Sequence, residues 1–70
     1  MQHLGEFWKI TRVESECGVK KTFIYKQARL GRFPRPIKVG AKAVVWSSAQ
    51  VQAWKRAMTE GREWSEGDAA

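Results

Sequence analysis

The chain has 70 residues, with 13 Lys and Arg against seven Asp and Glu, and a formal net charge of +6. A chain this short buries only about 60% of its unfolded surface, so one small domain with efficient turns is expected. Its apolar content of 43%, with four tryptophans, argues against a disordered basic tail; the lone Cys17 rules out an intrachain disulfide, and Cys17 with His3 cannot supply the usual zinc ligand set. A single thiol fits a reducing cytoplasm. The longest apolar run, residues 43–46, is far short of the ~20 residues that span a bilayer. Met1 to Glu6 lack the basic start and apolar stretch of a signal peptide.

In chain order, residues 1–9 form an N-terminal segment expected to be partly loose, with 7–10 extended and Trp8 and Ile10 on one face. Thr11 and Glu14 stand at capping-box spacing ahead of a short helix over 12–17, which Gly18 stops. A second helix is expected over about 20–30, ended by Gly31 and then Pro34. At 100° per residue, Phe23, Ile24, Gln27 and Leu30 fall on its inner side, Gln27 being an ill-fitting member. Thr22, Tyr25, Lys26 and Arg29 form the opposite stripe, with Lys21 beside it.

Pro34 and Pro36 keep residues 32–40 out of a helix. The alternation of Ile37 and Val39 with Lys38 reads as a strand, turned at residues 40–42 into a second strand over 43–46. Ser47 is the expected N-cap of a third helix reaching Thr59, with Val51, Trp54 and Met58 on its inner stripe and Ala57 beside them. Residues 61–70 read as a disordered acidic tail, so the folded domain is expected over 10–60. Trp64 either packs back on the domain or marks a partner contact.

Charge is unevenly placed along these elements. Residues 18–42 carry eight cations (Lys20, Lys21, Lys26, Arg29, Arg32, Arg35, Lys38 and Lys42) and no acid. Such a segment projects a positive field that draws in polyanions. The order helix, glycine turn, helix, hairpin, helix is that of a small α+β domain, the winged helix-turn-helix. In that architecture the second helix enters the major groove and the wing follows phosphates or the adjacent minor groove. Double-stranded DNA is therefore the expected partner. A membrane surface fits less well because the cations lie among turns, and RNA fits less well because no aromatic stacking platform is present. One histidine, one cysteine and two acids in the helix-turn-helix region cannot assemble a catalytic triad, a metal site or a carboxylate pair, so neither enzymatic activity nor a cofactor is expected.

The run from Gly18 to Lys26, followed by Gly31-Arg32-Phe33-Pro34-Arg35-Pro36-Ile37-Lys38-Val39-Gly40, resembles the AlpA-type phage regulatory family. Trp46 and the later Val51-x-x-Trp54 resemble that family's closing pattern, so the likeness covers about residues 10–56. Lys20, Gln27 and Gln50 depart from it, where the family carries a capping Ser, an apolar residue and an acid. The resemblance implies a small DNA-binding protein of prophages and integrative elements, acting in the bacterial cytoplasm as an excisionase, a transcriptional regulator, or both. An excisionase would also engage an integrase of the tyrosine recombinase class and neighbouring copies of itself on DNA. A protein-interaction module such as an anti-repressor is a further reading. Lys26 and Arg29 are placed to read guanine edges, Thr22 a thymine methyl, with Tyr25 on the same face. Lys20 and Lys21 would hold phosphate at the helix start, and Arg32, Arg35, Lys38 and Lys42 would serve the wing and its flanks.

Overall fold

A computed structural model describes residues 6–64. Its elements run β1 (Phe7–Trp8), α1 (Ile10–Cys17), α2 (Lys21–Arg29), β2 (Ile37–Lys38), β3 (Val44–Ser47) and α3 (Ser48–Thr59). The strands form an antiparallel sheet of order β1-β3-β2. Three helices against a small wing-bearing sheet make this an α+β winged helix-turn-helix. The expectations for residues 1–5 and 65–70 lie outside the described residues.

Helix ends follow local chemistry with one exception. Gly18, at φ 70°, closes α1 by donating its N–H to the Glu14 carbonyl. Both α2 and α3 end in a Schellman motif. Gly31 and Arg32 bond back to the carbonyls of Ala28 and Gln27, and Gly61 and Arg62 to those of Met58 and Ala57. Ser47 Oγ accepts from the Gln50 N–H and caps α3. The exception is the expected Thr11–Glu14 capping box. Helix α1 begins earlier, at Ile10, with Lys9 as an N-cap that makes no side-chain bond. The Glu14 carboxylate instead accepts the backbone N–H of Lys21, at 2.8 Å, and so caps α2 from the neighbouring helix. Lys20 has no side-chain capping bond of its own, so Glu14 supplies what a capping serine would. An acid there also suits the positive end of the α2 dipole.

The inner face of α2 differs from the expected one. Ile24 and Ala28 are buried, whereas Phe23 is 41% and Leu30 54% exposed. Helical spacing puts Phe23 and Leu30 on the same side as Ile24, but the wide polar stripe on α2 leaves only a narrow arc for packing, centred on Ile24 and Ala28, one turn apart. Gln27 is half-buried at the border of that arc, so its amide is no misfit. In α3 the inner stripe is Val51, Trp54 and Ala57, and Met58 points out.

Aromatic residues fix the connector between α2 and the wing. The fully buried Trp46 donates its indole N–H to the Pro34 carbonyl at 3.0 Å, and Trp54 donates to the Arg32 carbonyl at 3.1 Å. Phe33 lies between those anchors, fully buried, with its ring 4.9 Å from that of Trp54. The wing then pairs Ile37 with Val45 and Lys38 with Val44, and the Val39 N–H closes the hairpin on the Ala43 carbonyl.

The sheet has a third strand that extends the two-stranded wing expected from sequence. Phe7 pairs with Ser47 and Trp8 with Trp46, and Glu6 and Ser48 exchange hydrogen bonds of 2.6 and 2.7 Å. Trp8 is buried, with the Arg12 guanidinium 4.7 Å above its ring. Glu16 links α1 to α3, bonding Arg12 at 3.0 Å and Lys55 at 3.5 Å. The Arg12 guanidinium, aided by Lys55, holds that carboxyl below its ordinary range. Burial pushes the half-buried Cys17 thiol up, which keeps it protonated. After Gly61 the chain reverses, and Trp64 packs into the core at 3% exposure. Packing thus reaches past residues 10 and 60 at both ends.

Candidate nucleic-acid interface

The exposed side of α2 is set by what its other side buries. With Ile24 and Ala28 inward, Thr22, Tyr25, Lys26 and Arg29 all face out. Together with Lys21 and Ile10 they line one open hollow. A second hollow is lined by Tyr25, Ala28, Arg29, Arg35 and Pro36, and a third by Lys9, Ile10, Lys42, Ala43 and Val44. Tyr25 and Arg29 belong to the first and second, and Ile10 to the first and third. The three therefore join into one trough running from the wing tip, across α2, to the connector.

Six cations line this trough, Lys9, Lys21, Lys26, Arg29, Arg35 and Lys42, and no acid does. Its floor is firm. The Tyr25 ring is 42% exposed but meets the edge of the buried Trp46 ring, with centroids 5.6 Å apart at 67°. Trp46 in turn holds Pro34, so one indole braces both the helix that lines the trough and the connector that carries Arg35. Such a surface offers cations for phosphates, guanidinium and ammonium donors for purine edges, and an apolar spot at Ile10 for a methyl group.

Of the ten residues expected to serve binding, the fold brings seven into the trough: Lys21, Thr22, Tyr25, Lys26, Arg29, Arg35 and Lys42. Lys20 lies at its margin, lining a separate hollow with Thr11, Glu14, Ser15, Gly18 and Val19 on the turn. Lys38 is exposed on β2, outside these hollows. Arg32 stands elsewhere, in a hollow with Phe23, Trp54, Met58, Glu63 and Trp64. Lys9 and Ile10 also line the trough, although local sequence pattern does not assign them to binding. They reach the wing tip because β1 pairs with β3, a contact across some 40 residues of chain that local periodicity does not report.

Among the described residues no cluster of three or more His, Cys, Asp or Glu could hold a metal ion. No described helix is long and apolar enough to cross a membrane.

The sequence matches the family described as "Prophage CP4-57 regulatory protein (AlpA)" over residues 6–59. That span opens on Glu6, which bonds Ser48, and closes on Thr59, the last residue of α3. The chain is also 33% identical over 57 residues to "Uncharacterized protein ORF88" of Enterobacteria phage P4. The alignment covers 81% of this chain and 65% of that protein, so the chain spans about two-thirds of its relative's length. No solved structure matches the chain significantly.

Proposed function

The chain belongs to the AlpA family of prophage regulatory proteins, and on that premise we propose that it is a sequence-specific double-stranded DNA-binding protein acting as an excisionase. In this role it binds and bends attachment-site DNA and assists an integrase of the tyrosine recombinase class. The observation that carries the DNA reading is the continuous trough with six cations and no acid. Helix α2 lies in the major groove, with Arg29 and Lys26 on guanine O6 and N7 and Thr22 against a thymine methyl. Lys9, Lys21, Arg35 and Lys42 meet phosphates on either side, and Lys20 and Lys38 extend that contact at the margins.

What favours the architectural role is economy of recognition. One nine-residue helix reads few base pairs, so useful specificity requires neighbouring copies on DNA or a partner protein. The family's description as regulatory supports a second reading, a transcriptional regulator of a mobile-element promoter. A footprint with several phased repeats and stimulated excision in a recombination assay favours the first reading. A single operator with an effect on transcription alone favours the second. Failure to bind any duplex leaves a protein-interaction module such as an anti-repressor.

Roles within the trough separate by substitution. Arg29→Ala is expected to weaken the preferred site by about 1–3 kcal/mol and to flatten sequence preference. Lys42→Ala is expected to weaken all sequences alike and to lower the salt slope by about one. Binding isotherms on a selected site and on random duplex check this. Equal losses on both duplexes for both variants would contradict the assignment of α2 as the reading element.

A further inference from the structure

The hollow that holds Arg32 faces a different direction from the trough. Phe23, on its rim, lies roughly 100° around α2 from Thr22, and Met58 comes from α3. These two are 41% and 43% exposed, large apolar side chains left without cover. Trp64 forms part of the wall, and its indole N–H is the one buried side-chain donor among the described residues that lacks an acceptor. The hollow's volume of about 240 Å³ is below the ~300–1,000 Å³ of ligand sites and better suited to a protein side chain.

We propose that this face is a self-association surface, where a second copy of the chain docks through a two-fold contact. Two features select a copy over another occupant. Arg32 and Glu63 line the same hollow, and neither has an ion-pair partner within the described chain. A two-fold axis sets Arg32 of each copy against Glu63 of the other, so the patch is complementary to itself. The trough, by contrast, sets six cations against six and repels a copy. The unbranched Met58 side chain adapts readily to the facing hollow. Pairing in this way leaves both troughs open.

The contact is tested without DNA, so its failure leaves the DNA reading standing. Sedimentation equilibrium of the full chain is expected to show a concentration-dependent monomer–dimer equilibrium. Met58→Glu is expected to raise the dissociation constant roughly tenfold or more, as are Arg32→Glu and Glu63→Arg singly. The combined Arg32→Glu, Glu63→Arg chain is expected to return to within about threefold of the parent. A chain that stays monomeric up to about 1 mM overturns the proposal. So does a dimer indifferent to these substitutions, or a double exchange no tighter than either single one.

Discussion

Trp46→Ala is expected to abolish the cooperative thermal unfolding of this domain. The side chain is wholly buried, and truncating a tryptophan in a core costs about 3–5 kcal/mol. A domain of this size rarely has more than about 3–5 kcal/mol to lose. The loss is also structural in a specific way, since the Trp46 indole supports the Tyr25 ring and bonds the Pro34 carbonyl. Trp46→Phe separates these contributions. It keeps an aromatic ring in place but leaves the Pro34 carbonyl without its donor, at about 1–3 kcal/mol. Circular dichroism melts of the three proteins check the order. An alanine variant melting cooperatively near the parent temperature would mean that the connector is held by something other than this indole.

Salt should have an effect larger than any single substitution on DNA affinity. Each phosphate contact contributes about −0.9 to the slope of log K against log salt, so the six cations assigned to phosphate, Lys9, Lys21, Arg35 and Lys42 with Lys20 and Lys38 at the margins, give a slope of about −5. Between about 50 and 200 mM salt the affinity is then expected to fall roughly a thousandfold. Lys9→Ala should lower the slope by about one, although Lys9 lies outside the basic segment at 18–42. Fluorescence anisotropy titrations at several salt concentrations measure both quantities. A loss of less than about tenfold over that range would contradict a phosphate-lined trough.

Legibility in the sequence tracked the range of each interaction. Gly18, Gly31 and Gly61 and the Ser47 cap act on their own helix ends, and all four stand where local rules put them. The polar stripe on α2 was equally plain, because residues at i, i+3, i+4 and i+7 share a face whatever surrounds them. Glu14 shows where local rules stop: its spacing to Thr11 fits a capping box, yet its carboxylate spans the turn to Lys21. Ala28 shows another limit, since a small residue that permits close packing carries little weight in a hydrophobicity count that favours Phe23 and Leu30. The β1–β3 pairing joins residues about 40 apart and brings Lys9 and Ile10 to the wing tip, so the trough's full extent emerged only from the fold. Arg32 illustrates the converse. It sits among cations in the sequence, but the Schellman turn after α2 and the Trp54 bond to its carbonyl place it in a separate hollow.

The central claim, that the α2 stripe and the wing converge on one duplex, is tested most directly by nuclear magnetic resonance. Amide shifts of the labelled chain are followed while a duplex containing the bound site is added. The expected result is that Thr22, Tyr25, Lys26 and Arg29 move first and furthest, joined by Lys9, Ile10 and Lys42. Shifts confined to Phe23, Arg32 and Met58, or a folded chain whose α2 resonances stay still, would contradict it.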